Sequence, residues 1–212
     1  MRSHFQERPI PTIRHSIGQN NQMPEVVTLT SLQVDPAHQA RLLELTQQTK
    51  VRFENLRGCK SYAFWRDPAK SGAFLLTVHY ESVEASLRGY ETWGTSPQMF
   101  DIYAILLDAP DVHRLIVDQT LGASLAEVPL GGTISVSHRV ADTGHGFALA
   151  EELQRIFGEL TVLEGFMGGI VGHREQLEEE VSGLALWSSA EAFEASMPKR
   201  TLYEVRAYSR VM

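Results

Sequence analysis

The chain has 212 residues, 43% of them hydrophobic and 21% charged, and a formal net charge of −7 at pH 7. An acidic chain without a basic face is poorly suited to binding nucleic acid, and no apolar run approaches the ~20 residues that a membrane-spanning helix needs. The single cysteine, Cys59, excludes an internal disulfide framework and fits a reducing compartment. These features predict a cytoplasmic protein of one or two domains that binds neither nucleic acid nor membranes.

Residues 1–23 form a segment of mixed composition at the N-terminus. They include three arginines, two histidines, two prolines and a single acid, with no helical or strand period. We predict an N-terminal arm, which either lies loosely on the surface or exchanges with a neighbouring subunit. The sequence does not choose between these alternatives.

The first half of the chain then alternates strands with helices. The range 26–32 is rich in β-branched residues, which favours a strand. Asp35 and Pro36 supply an N-cap and a first-turn proline for a helix, whose stripe of core-facing residues runs over 42–53. The later strands of this half are predicted over three ranges: 62–66, 74–80 and 112–119.

An insertion distinguishes the first half from the second. It covers residues 90–111, and Ser96 and Pro97 are typical of the start of a helix. The second half runs from Pro198 almost directly into its last predicted strand, 203–211. The first half is therefore predicted to carry an extra helical flap that the second half lacks.

The stretch 26–85 recurs 107 residues later as 133–192. The two copies share ten identities over sixty ungapped pairs, where ordinary composition gives roughly three or four by chance. The predicted strands and helices of the two copies also superpose. We therefore predict an internal duplication, with each copy in the order strand, helix, strand, strand, helix, strand, which is the ferredoxin-like plan.

Each half resembles a domain of the antibiotic biosynthesis monooxygenase (ABM) family. One shared motif is a Leu-x-Gly turn before the second strand, at Leu56 and Gly58 and again at Leu163 and Gly165. The other is an aromatic-x-Ser-x-Glu-Ala step after the third strand, which occurs in two places: 80–85 and 187–192.

The resemblance implies an α+β fold in which two ferredoxin-like repeats close into one barrel. Two such sheets each leave one face bare of helices, and packing these faces together buries both. The predicted division is the arm and two repeats: 1–23, 24–123 and 130–212. The barrel is then a pseudo-dimer within one chain, and the protein is predicted to be a monomer of that kind or a homodimer.

The resemblance also implies a ligand site between the sheet and the outer helices. In the first half this region is predicted to hold Tyr80 as a catalytic residue and a set of aromatic substrate-binding residues: Tyr90, Trp93, Phe100 and Tyr103. Such a set suits a flat aromatic ligand, and we expect the working pocket here. The alternative is that these aromatics fill the core beneath the flap. Trp187 is predicted either to bind substrate or to be a core residue.

The function that the resemblance implies is a cofactor-independent monooxygenase acting on an aromatic or quinol-type small molecule. No bound metal or flavin is needed when the deprotonated substrate itself donates electrons to oxygen, and no pair of histidines has metal-ligand spacing. Two alternatives remain open. One is a non-catalytic protein that binds a small apolar ligand in the same fold, and the other is a scaffold whose barrel is filled.

Overall fold

In the computed structural model, which describes residues 23–198 and 204–212, both halves follow the same order of elements. The first half contains seven: β1 Val26–Gln33, α1 Gln39–Glu54, β2 Cys59–Arg66, β3 Ala73–Tyr80, α2 Val83–Gly94, α3 Pro97–Ile105 and β4 Asp111–Gly122. The second half contains six: β5 Thr133–Val140, α4 Gly146–Leu160, β6 Phe166–Arg174, β7 Leu177–Trp187, α5 Ala190–Ser196 and β8 Val205–Arg210. Apart from Met23, the predicted N-terminal arm lies outside the described residues.

The eight strands close into one barrel in the order β1-β3-β2-β8-β5-β7-β6-β4, with every neighbouring pair antiparallel. Each half contributes a four-stranded ferredoxin-like sheet, and the sheets meet at two seams, β4–β6 and β2–β8. The β2–β8 seam is short, with the pairs Trp65–Arg210 and Arg66–Ser209. The predicted fold class is therefore confirmed. No helix within the described ranges is long and apolar enough to cross a membrane.

The chain segment between the halves closes one end of the barrel. Leu125 and Val128 are buried against the barrel interior. Arg210 donates hydrogen bonds to the carbonyl oxygens of both residues and of Ala126. The ends of β4 and the start of β5 lie at the same end of the barrel, so the segment that joins them covers that end. It forms a floor beneath the apolar core.

One histidine lies inside the barrel near the floor. His79 is buried, and its Nε2 lies 2.7 Å from Glu25 Oε2, while Lys60 Nζ lies 2.6 Å from the other oxygen of that carboxylate. Burial and the charge of Lys60 lower the pKa of His79, although Glu25 partly opposes this. The folded protein therefore favours the neutral imidazole.

We expect this histidine to make the protein less stable in mild acid. Because its folded pKa lies below the unfolded value, stability is complete above the unfolded value of about 6.5 and falls as pH decreases below it. The second half carries Leu186 at the position of His79, so His79→Leu is a packing-compatible control. Thermal melts at pH 5.5 and 7.5 should show a larger difference for the wild type than for His79→Leu. Equal differences in melting temperature for the two proteins would show that His79 does not cause the loss of stability in acid.

Candidate active site

A cavity of about 310 Å³ lies on the second half of the barrel, between the sheet and the helices α4 and α5. We call this cavity the slot. Its sheet side is formed by β5 and β7, and its opposite side by apolar residues of α4 and by the segment around Met197 and Pro198. Six of its lining residues define the shape and polarity of the slot: Ser135, Ser137, Arg139, Phe157, Ala185 and Trp187.

Aromatic side chains form one wall of the slot. Trp187 is buried, and its ring lies edge-on to Phe166 at 5.3 Å and to Phe193 at 6.0 Å between centroids. Its Nε1 donates a hydrogen bond to Ser135 Oγ at 3.1 Å, which fixes the orientation of the indole. Phe157 of α4 adds a further ring to the lining. Flat aromatic ligands pack well against walls of this kind.

Polar side chains of β5 line the sheet side of the slot. Ser135, Ser137 and Arg139 alternate along the strand, so all three point to the same face. Arg139 is the charged member of the described lining residues. The slot therefore combines a mostly apolar surface with one guanidinium, an arrangement that suits a flat apolar molecule carrying a negative charge at one end.

The slot exists because the second half carries small residues where the first half carries large ones. The strand registers are the same in both halves: Thr28 pairs with Val78, and Ser135 pairs with Ala185. Three positions on the helix-facing side differ strongly in volume between the first and second halves: Tyr62 against Gly169, Leu76 against Gly183 and Val78 against Ala185. The larger residues are all buried and occupy the space that the second half leaves open.

The two glycines also bring α4 close to the sheet. A Cβ atom on Gly169 would lie 2.5 Å from the Phe157 ring, and one on Gly183 would lie 3.1 Å from it. Phe157 can therefore sit directly over the sheet only because these positions lack side chains. Its counterpart in the first half is Lys50, which does not enter the core there.

The slot lies on the second half of the barrel, not in the first half, where the sequence leads us to expect the working pocket. Helix α3, the predicted flap, packs against α1 rather than covering a cavity: Asp101 pairs with Arg41 at 3.2 Å, and Gln98 Nε2 donates to Gln48 Oε1 at 3.3 Å. In the second half α5 ends at Ser196. The shorter half therefore leaves a cavity, and the longer half fills the equivalent space.

The predicted residues of the first half do not line the slot. Tyr80 is 3% exposed, and a Cβ on Gly89 would lie 2.3 Å from its hydroxyl oxygen, so it is tightly packed against α2. Burial raises the pKa of the Tyr80 hydroxyl, which makes it a poor base. Tyr90 and Phe100 are 77% and 68% exposed. The two remaining residues of the set are half-buried or exposed elsewhere: Trp93 and Tyr103.

Trp187 is the predicted residue that does line the slot. It occupies the position of Tyr80 in the second copy of the aromatic-x-Ser-x-Glu-Ala step. Arg139, Ser137 and Ala185 were not predicted as site residues. At a shift of 107 residues Arg139 aligns with Leu32 and Ala185 with Val78, so a comparison of the two copies would have found these two residues. Ser137 aligns with Thr30 and gives no such signal.

The sequence of the first half matches the family model described as antibiotic biosynthesis monooxygenase, over residues 26–99. The eight-stranded barrel and the order of elements extend the same plan to the second half. The chain is an eight-stranded α/β barrel whose first half is similar in sequence to the ABM family. A comparison with curated proteins returned no match.

Solved structures share the whole fold of this ABM-like chain. A candidate monooxygenase from Fusobacterium nucleatum has a TM-score of 0.71 at 9% identity, covering 90% of this chain and 94% of that one. A candidate monooxygenase from Lactobacillus acidophilus has a TM-score of 0.66 at 10% identity, covering 88% and 94%. An anthrone oxidase-like protein has a TM-score of 0.64 at 18% identity, covering 89% and 92%. At these identities the likeness concerns the fold.

Proposed function

We propose that the protein is a monooxygenase that oxidises a flat, electron-rich aromatic or quinol-type molecule bound in the slot. The observation that carries this proposal is the combination of buried aromatic walls at Trp187 and Phe157 with the guanidinium of Arg139 in one cavity. The ABM match and the fold shared with an anthrone oxidase-like protein support the class of reaction. The substrate class rests on the chemistry of the slot.

The reaction proposed here uses oxygen and the substrate alone. A methylene group between two aromatic rings, as in an anthrone, loses a proton to give a carbanion. The anion transfers an electron to O2, and the resulting radical and superoxide combine into a carbon-bound peroxide. Protonation and loss of water then leave a carbonyl group. One oxygen atom enters the product and the other leaves as water, so no separate reductant is consumed.

The residues of the slot have defined parts in this reaction. Arg139 favours the deprotonated substrate, because a nearby positive charge lowers the pKa of an acid. Trp187, held by Ser135, orients the ring system against Phe157. The described lining residues include no carboxylate or imidazole, so the substrate proton passes to water. The apolar walls exclude water from the remainder of the reacting molecule.

The lack of a carboxylate or imidazole among the described lining residues favours a second candidate function, a protein that binds the ligand without catalysis. A protein that holds an aromatic ligand without reaction needs the walls and the charge but no base. Such a protein would bind an anthraquinone in the slot and would leave the rate of anthrone oxidation unchanged. The two candidates therefore differ in turnover and agree in the location of the ligand.

The test measures oxygen uptake and anthraquinone formation with an anthrone that carries hydroxyl groups. We expect one anthraquinone per O2 at a rate above spontaneous oxidation, and we expect Arg139→Gln to lower kcat roughly tenfold or more, as loss of one charge-stabilising donor does. Tyr80→Phe is the control and should retain full activity. A rate equal to the background, with anthraquinone still bound, would contradict the monooxygenase proposal and favour the non-catalytic binding protein. A large loss in Tyr80→Phe would contradict the location.

A further inference from the structure

A second cavity, of about 280 Å³, lies at the end of the barrel opposite the linker floor. We call it the barrel mouth. Its base is apolar, formed by Leu29, Leu75, Val136 and the ring of Tyr208, all of which are buried. Polar and charged residues surround this base: Ser31, Asp111, His113, His138, Glu204 and Arg206. None of these residues belongs to the slot.

The strand registers divide the polar residues of the mouth into two layers. His113 pairs with Leu29, and Arg206 pairs with Val136. These two basic residues therefore lie at the level of the apolar residues that form the bottom of the cavity. Asp111 pairs with Ser31, one pleat further out. The two halves have the same pattern, because Asp111 precedes His113 by two residues and Glu204 precedes Arg206 by two. The acids thus form the outer rim, and the bases lie beneath it.

Each acid of the rim is bonded to the base of its own half. Asp111 Oδ2 lies 3.0 Å from His113 Nε2, and Glu204 Oε1 accepts from Arg206 Nε at 2.7 Å. The side chains of the two acids are 69% and 74% exposed, so water solvates them well. A second imidazole lies beside the first, with 5.2 Å between the ring centroids of His113 and His138.

A ligand that passes the rim meets hydrogen-bond donors above an apolar surface. The donors are the guanidinium of Arg206, the hydroxyl of Tyr208 and, when protonated, the imidazoles of His113 and His138. A cation at this depth would lie beside Arg206 and be repelled by it. The Arg206 side chain is 66% exposed and is paired with Glu204. A carboxylate that replaces Glu204 as its partner would place an attached apolar body over Leu29 and Val136.

We propose that the barrel mouth is a second ligand site, separate from the slot, that binds a small carboxylate with a flat apolar body. Arg206 and the two imidazoles bind the carboxylate, and Leu29, Leu75 and Val136 contact the body. The site does not depend on the monooxygenase activity proposed for the slot.

Binding at the mouth is coupled to proton uptake. Burial and the positive charge of His113 lower the pKa of His138, as does Arg206, while Asp111 and Glu180 act in the opposite direction. His138 Nδ1 lies 2.7 Å from Ser182 Oγ. A bound carboxylate adds a negative charge beside His138 and raises the pKa of that imidazole. The complex therefore holds more protons than the free protein, and affinity for the carboxylate rises as pH falls from 7.5 to 5.5.

Charged groups from the neighbouring strands and loops also face the mouth. Four acids and two arginines surround the histidines and Tyr208: Asp67, Asp111, Glu180 and Glu204, with Arg174 and Arg206. Glu180 is paired with Arg174 at 2.8 Å, and Asp67 accepts two backbone hydrogen bonds of its own turn. Histidine is the side chain whose ordinary pKa lies nearest to this range of pH, so we assign the pH dependence of binding to His138.

The test compares three probes of the same shape: benzoate, benzamide and benzylammonium. Calorimetric titrations at pH 5.5 and 7.5 should give the tightest binding for benzoate at pH 5.5. Arg206→Gln should weaken benzoate roughly tenfold or more, which is the usual effect of losing one charged hydrogen bond. The matched control is Arg155→Gln, which removes another exposed arginine paired with an acid, Glu159, and should change nothing.

Two further measurements assign the site. In spectra of protein labelled with 15N-histidine, benzoate should shift the side-chain signals of two histidines, and His138→Gln should remove one of them. Ala185→Leu, which fills the slot, should leave benzoate binding intact. Stronger binding of benzylammonium, binding unaffected by Arg206→Gln, or binding abolished by Ala185→Leu would each overturn the proposal.

Discussion

Ala185→Leu should abolish ligand binding in the slot while leaving the barrel at least as stable as the wild type. Ala185 is buried on the sheet side of the cavity, and the slot provides space for three added carbons. Filling an existing cavity removes no contact and adds apolar burial, so we expect no loss in the free energy of unfolding. A ligand that occupies the same space must then clash with the new side chain.

The first half provides the matched control for this change. Val78 occupies the position of Ala185 but lies in a filled core beside Tyr62 and Leu76. Val78→Leu adds volume where none is free, which typically costs about 1–3 kcal/mol, and it should leave ligand affinity unchanged. Ligand affinity and melting temperature, measured for both Ala185→Leu and Val78→Leu, test these two predictions. Loss of affinity in Val78→Leu alone would place the ligand in the first half.

Trp187→Ala should lower both stability and ligand affinity, and of all single changes in the slot it has the largest expected effect on stability. The indole is buried between Phe166 and Phe193 and bonded to Ser135. Truncation of a buried tryptophan costs about 3–5 kcal/mol, and it also removes one wall of the slot. Affinity should fall by an order of magnitude or more when measured on the folded fraction.

Two comparison variants separate the stability effect from the binding effect. Trp187→Phe keeps an aromatic wall and loses the hydrogen bond to Ser135, so it should retain most of the affinity at a cost of about 1 kcal/mol. Tyr80→Ala removes the equivalent buried ring of the first half and should lower stability only. If Trp187→Ala bound ligand as tightly as the wild type, the indole would be a core residue and not part of the site.

The fold was predictable because its determinants are repeated and local. Three features recur at one spacing: the amphipathic helices α1 and α4, the glycine turns that follow them at Gly58 and Gly165, and the N-capping serines Ser82 and Ser189. Each sheet must cover its bare face, so the barrel follows from the pairing of two sheets. The division into residues 24–123 and 130–212 and the duplication itself stay predictions.

The position of the site was not predictable from the distribution of aromatic residues. Tyr90 and Phe100 lie on helices whose apolar faces were expected to cover a cavity, yet both side chains point to solvent. A cavity is a difference between the volume of the space and the volume of the side chains within it. Gly183 and Ala185 line the slot and leave space there, and residues with little or no side chain are easily overlooked when large ones are sought.

The most direct test of the account is a crystal structure with a hydroxylated anthraquinone, the expected product class. We predict ligand density in the slot, over β5 and β7, with the ring system beside Trp187 and a polar substituent toward Arg139. Density against Tyr80 beneath α2, or an empty slot at saturating ligand, would contradict the location of the active site in the second half.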